Sequence, residues 1–146
     1  MGLNAEEQYL LVKKIDDIFL AMNRTDEIAQ QMGFSHYDGL FLRLVTEEAC
    51  MNAYEYCQNT GQPGFLIRWD YQQNKECLTI YIKHKGEKFS LTPFTNEANR
   101  GLRGRGLQLI VNLMDYVHVK EDGEYVELVM RKNRFEYLRR EGDRFQ

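Results

Sequence analysis

LFLRLVTEEACMNAYEYC, residues 40 to 57, has the spacing of a helix that is apolar along two stripes. On a 3.6-residue period, Leu42, Val45, Ala49, Ala53 and Tyr56 share one stripe, and Leu40, Leu44 and Met51 share a second. Arg43, Thr46, Glu47 and Tyr54 fall on the opposite side, which this reading assigns to water. Glu48 and Asn52, one helical turn apart, project together from between the two apolar stripes. A carboxylate and an amide on a largely buried face carry a desolvation cost unless something pairs with them. The partner can be another side chain, ordered water, or a ligand with its metal, and the residues alone leave the three open.

Outward from this helix, the chain divides by period. Asn4 to Met32 reads as one long helix, with Leu10, Leu11, Ile15, Ile18, Phe19 and Met22 at helical spacing, a break or kink at Asn23 to Asp26, and Gly33 as its C-terminal cap. Ser35 or Asp38 caps the next helix, which stops at the turn-rich Asn59 to Gly64. From Phe65 the pattern alternates. Phe65, Ile67, Trp69 and Tyr71, then Leu78, Ile80 and Ile82, read as an antiparallel pair joined by a polar turn at Gln72 to Lys75, with Trp69 as a core residue.

His84 to Arg103 has little periodicity and is bracketed by Gly86 and by Gly101, Gly104 and Gly106. Loops of that length inside a compact domain are often functional lids, and the lid is placed at about residues 87–103. Gly106 to Tyr116 returns to helical spacing, and Tyr116–Lys120 and Tyr125–Arg131 form a hairpin around Glu-Asp-Gly-Glu. A charged tail, 133–146, reads as a short helix or frayed end, and the cations in and just before it, Arg131, Lys132, Arg134, Arg139 and Arg140, as a solvated face. The expected fold class is therefore α+β: a two-layer sandwich of helices on one face of a mainly antiparallel mixed sheet, in a single domain over 1–146.

Composition narrows the function classes. An apolar fraction of 43% suits a folded domain, and no apolar run reaches the length of a membrane span, so the expectation is a cytoplasmic protein with no membrane partner. A net charge of −3 argues against a general nucleic-acid binder. Cys50, Cys57 and Cys77 have no CxxC pair and no histidine at zinc spacing, which favours free thiols.

Two constellations suit chemistry. Glu48 and Asn52 are residue types that handle protons and offer oxygen to magnesium. Gly104-Arg105-Gly106 lies where a lid would end and a helix begin, and helix N-termini expose N–H groups that suit phosphate oxygens. Arg100, Arg103 and Arg105 add cationic donors.

The motifs EEACMNA (Glu47 to Ala53), HKGEKF (His84 to Phe89) and GRGLQLI (Gly104 to Ile110) resemble the three nucleotide boxes of the Bergerat-fold, histidine-kinase-like ATPases. The spelling is most similar to that of the anti-sigma-factor serine/threonine kinases in that superfamily, and the resemblance covers about residues 6 to 131. It implies ATP as cofactor, with Asn52 holding Mg2+ and Glu48 as catalytic base for a substrate serine. It further implies that Gly104 and Gly106, with the neighbouring Arg103, Arg105 and Leu107, meet the phosphates, while His84 and Gly86 line the adenine pocket and Phe89 packs where the lid starts. The implied partners are a sigma factor or an anti-sigma antagonist domain, with no nucleic acid, and a homodimer is compatible.

One residue departs from the pattern. Where the family has an aspartate that accepts from the adenine amino group, this chain has His84. Loss of a dedicated acceptor in a buried site costs about 1–3 kcal/mol. The family's short N-terminal strand also finds no counterpart in this reading. Two functions follow: a kinase with altered base recognition, or a non-catalytic protein-binding module of the same fold.

Overall fold

The structure, a computed structural model, describes residues 8–71, 76–86 and 102–134, with the backbone alone at 102–105. Its elements run β1 (Gln8–Val12), α1 (Ile15–Met32), α2 (His36–Asn59), β2 (Phe65–Asp70), β3 (Cys77–Lys85), α3 (Leu102–Leu113), β4 (Tyr116–Asp122) and β5 (Tyr125–Asn133). The strands form one sheet in the order β1-β2-β3-β5-β4, and every pairing among the described residues is antiparallel. The α+β sandwich expected from the sequence is the fold observed.

Register makes the core. Leu10, Ile67, Ile82, Leu128 and Val119 align across the five strands, and Trp69, Ile80, Met130 and Val117 form the next row. These side chains share one face and pack under Ile18, Met22, Ile28, Leu42, Val45, Ala49 and Ile110 of the helices. Alternation along a half-buried strand puts every second residue on that face, which is why the runs after Phe65 were readable.

The N-terminal segment corrects the sequence reading. Gln8–Val12 is a strand, not the first turns of a long helix, and it pairs with Phe65 to Trp69. Leu10 and Val12 point to the core while Tyr9 is 63% exposed, so the segment alternates. Its apolar residues also fit a helical period, and the open hydrogen-bonding edge of β2 decides between the two. The helix starts where the Asp17 carboxylate accepts from the backbone N–H groups of Lys13 (2.9 Å) and Lys14 (3.2 Å). α1 then runs unbroken through Asn23 to Asp26 and ends, as expected, at Gly33 in the left-handed conformation (φ 84°).

The exposure of α2 differs from expectation on two sides. Leu40, Leu44 and Met51 form an exposed stripe, and Thr46, assigned to water, is fully buried. The cause is α1, which packs beside α2 and covers the Thr46 side. There Trp69 Nε1 donates to Thr25 Oγ1 (2.9 Å), and Thr46 Oγ1 donates to the Leu42 carbonyl (2.8 Å). The Thr46 proton being so used, Thr25 donates across the 2.9 Å contact between the two hydroxyls. One directed chain of hydrogen bonds thus ties β2, α1 and α2 together.

Trp69→Phe removes the first donor and leaves the buried Thr25 hydroxyl one partner short. The expected loss is about 1–3 kcal/mol of stability, measured by urea denaturation followed by far-UV circular dichroism. Adding Thr25→Val should cost less than the sum of the two single changes.

Two further boundaries move. β3 extends through His84 and Lys85, which pair with Val126 and Tyr125 of β5, so His84 sits in a strand rather than at the start of the loop. β5 reaches Asn133, and Lys132, read as part of a solvated basic face, is buried with its ammonium donating to the Leu113 carbonyl at the end of α3 (3.0 Å).

Candidate functional site

Ser35 caps α2 by accepting from the Asp38 N–H (3.1 Å), and the 24-residue helix that follows presents Glu48 and Asn52 toward α3. α3 answers with Gly106, which is buried. A Cβ on Gly106 would lie 2.6 Å from Glu48 Oε1 and 3.3 Å from Asn52 Nδ2. Only a residue without a side chain lets the two helices meet this closely at the carboxylate. The two constellations found separately in the sequence therefore converge at one point.

Burial pushes the Glu48 carboxyl above its ordinary value of 4.5, with the charge of Glu47 adding to the effect. Leu107, next to Gly106, is a core residue under this point of contact.

α3 begins at Leu102, earlier than the Gly106 start read from the sequence. Gly104 then falls among the first-turn residues whose N–H groups have no partner within the helix, whereas the N–H of Gly106 falls within the helical ladder. What the structure shows of Gly106 is a missing side chain at the contact with Glu48. The side chains of Arg103 and Arg105, and the whole of Phe89, lie outside the described residues.

At the C-terminal end of α2 the site has a second, different lining. His84 projects from β3 and is 9% exposed, with Nδ1 2.9 Å from the Lys85 carbonyl oxygen. A carbonyl only accepts, so Nδ1 carries the hydrogen and Nε2 is the accepting nitrogen of the neutral ring. The Tyr56 ring lies 4.8 Å from the His84 ring, tilted by 32°. Gly86 has φ 155°, and a Cβ there would lie 2.7 Å from the Tyr56 hydroxyl oxygen and 3.1 Å from two carbons of its ring.

Gln62 fastens this corner. Its amide donates to the Lys85 carbonyl (2.8 Å) and accepts from the Lys85 N–H (3.2 Å), and Gly86 N–H donates to Glu124 (3.0 Å). The strand end that holds His84 and Gly86 is thus tied to both the α2 exit and the β4–β5 turn.

Sequence reasoning placed Tyr56 on the core stripe and missed it as a site residue. The available signal was its position one helical turn after Asn52. Among the described residues no three His, Cys, Asp or Glu side chains cluster to hold a metal by themselves. A divalent ion would need oxygen from Asn52, with Glu48 near, and from its ligand. A carboxamide beside a carboxylate is a donor set that fits magnesium carried by a phosphate ligand. The space beside Gly86 is filled by Tyr56, as that beside Gly106 is by Glu48.

Comparison with known proteins gives the family. Residues 13–132 match the family described as histidine kinase-like ATPase domain. The serine-protein kinase RsbW of Bacillus licheniformis is 32% identical over 111 residues, and the match spans 65% of each chain. A chain in the crystal structure of the SiaB–SiaC complex from Pseudomonas aeruginosa superposes with a TM-score of 0.61 at 12% identity, covering 86% of this chain and 88% of that one. The nucleotide-free catalytic domain of histidine kinase ThkA gives a TM-score of 0.50 at 12% identity, over 87% and 96%. At that identity the two structures speak to the fold.

Proposed function

The chain belongs to the histidine kinase-like ATPase family, and from that premise we propose that it is a partner-switching protein kinase that transfers the γ-phosphoryl group of ATP to a serine of a small regulatory protein. The observation that carries this reading is the meeting of Glu48, Asn52 and Gly106. Similarity to a serine-protein kinase supports the acceptor class, and a structural relative solved as a two-protein complex is consistent with a protein partner. A sigma factor or its antagonist domain is the proposed partner. Exposed apolar side chains on both helices, Phe19 and Leu20 on α1 and Leu40, Phe41 and Leu44 on α2, offer such a partner a surface.

Each residue has a defined task. Glu48, its proton affinity raised by burial, takes the proton from the serine hydroxyl as that oxygen attacks phosphorus and the bond to ADP breaks. Asn52 offers its carboxamide oxygen to magnesium, which supplies charge neutralisation across the phosphates when bound. Gly106 keeps α3 close enough to hold the Glu48 carboxylate in place. The first-turn N–H groups of α3, Gly104 among them, suit phosphate oxygens. In its neutral form His84 would accept through Nε2 where the family uses an aspartate, its Nδ1 being held by the Lys85 carbonyl.

A second reading, a non-catalytic binding module, is favoured by one observation: Tyr56 fills the space beside Gly86. Equilibrium dialysis with Mg·ATP separates the two. The expected result is weak, magnesium-dependent binding that His84→Asp strengthens by roughly ten- to a hundredfold, the value of a buried acceptor. No binding at millimolar nucleotide in either protein would leave the module reading standing.

A further inference from the structure

We propose that Tyr56 is the specificity-determining residue at the base end of this site, a plug that a nucleotide base must displace. The proposal rests on the nucleotide reading above and concerns which part of the ligand the site admits. Three observations carry it. The Tyr56 ring lies 4.8 Å from the His84 ring, tilted against it by 32°. Its hydroxyl oxygen lies 2.7 Å from where Gly86 would carry a Cβ, so the opening left by that glycine is taken by the tyrosine. Both His84 and Gly86 are fixed from behind, by strand pairing with β5, by the Gln62 amide on Lys85, and by the Gly86 N–H on Glu124.

A planar base cannot lie against Gly86 while the tyrosine ring does, and the strand cannot retreat to make room. The side that moves is Tyr56, by rotation away from α2, and the movement gives up the ring contact with His84. Aromatic pairs of this kind are worth enough to shift an equilibrium roughly two- to tenfold. The phosphate end, at Glu48, Asn52 and Gly106, lies one to two turns toward the N-terminus of α2, so entry there does not require the tyrosine to move. The unliganded protein therefore admits a polyphosphate more readily than it admits a base.

Affinities of the full chain for Mg·ATP, Mg·GTP and magnesium tripolyphosphate, measured by isothermal titration calorimetry, test the plug. Tyr56→Ala should tighten ATP roughly two- to tenfold and leave tripolyphosphate within about twofold. Tyr56→Phe, which keeps the ring, should bind ATP as the parent protein does. Should Tyr56→Ala unfold, Tyr56→Leu replaces it, because leucine retains apolar cover on α2 without a ring.

ATP affinity unchanged or weakened in the ring-less variant, with the parent protein binding ATP, would overturn the plug and leave the nucleotide reading intact. If the ring-less variant and the parent protein both failed to bind any nucleotide, both would fall. A parallel gain for tripolyphosphate would also overturn it, since the effect would then not be at the base end.

Discussion

Glu48→Gln is expected to lower phosphotransfer to a serine acceptor by roughly 10²–10⁴-fold, the range of general-base contributions, while making the unliganded protein more stable at neutral pH. Both halves follow from one cause. Burial raises the Glu48 pKa above 4.5, which means that the folded protein disfavours its charge. Between the unfolded and folded values the native state binds more protons than the unfolded state, so stability falls as pH rises through that window and stays lower above it. Glutamine has no charge to desolvate.

Denaturation midpoints of Glu48→Gln should therefore exceed those of the parent protein at pH 7. The two should converge below about pH 4.5, where Glu48 is protonated in both states. Measurement without nucleotide and with a chelator keeps divalent ions out of the comparison. The rate profile carries the same sign, since the base must be deprotonated: the acid limb of the parent's activity is shifted upward from the ordinary glutamate value of 4.5. A variant as active as the parent would remove Glu48 from the chemistry, and one less stable at pH 7 would show that a native partner outweighs the desolvation.

How much of this was legible in the sequence depends on which residues needed only their neighbours along the chain. The Gly33 cap, the alternation after Phe65 and the hairpin around Gly123 are local devices, and each lies where its pattern put it. β1 is not local. Leu10 and Val12 fit an alternating period while Leu10 and Leu11 fit a helical one, and only the open edge of β2 separates the two. Thr46 and Leu44 exchanged environments for a similar reason, because the wet side of a helix is set by its neighbouring helix.

Within the site, Glu48 and Asn52 stood out because polar residues between apolar stripes need an explanation. Gly106 stood out too, but as part of a helix start whose N–H groups suit phosphate. Its role inside a helix, as the bare surface that meets a carboxylate from α2, depends on a contact far apart in sequence. Tyr56 fits the core period as well as any aromatic, and periodicity cannot distinguish a ring packed on Ile or Leu from one packed on His84.

Gly106→Ala is the change that most directly tests whether the meeting of α2 and α3 is functional. Judged by helix propensity alone, alanine at this position of α3 should stabilise the protein by about 0.5–1 kcal/mol. The added methyl would lie 2.6 Å from Glu48 Oε1, a separation that must increase, and 3.3 Å from Asn52 Nδ2. The Glu48 carboxylate is the end of a flexible side chain, so it yields before either backbone does, and the fold survives. What changes is where the base sits. Displacement of a catalytic group by about 1 Å commonly costs on the order of a hundredfold in rate, and that is the expected loss of phosphotransfer, with thermal stability unchanged or raised. Magnesium-dependent nucleotide affinity should fall less than the rate, because the methyl presses harder on Glu48 than on Asn52. A fully active Gly106→Ala protein would mean that the Glu48 carboxylate works from another position than the one it holds against α3, and the contact that carries the kinase reading would lose its force.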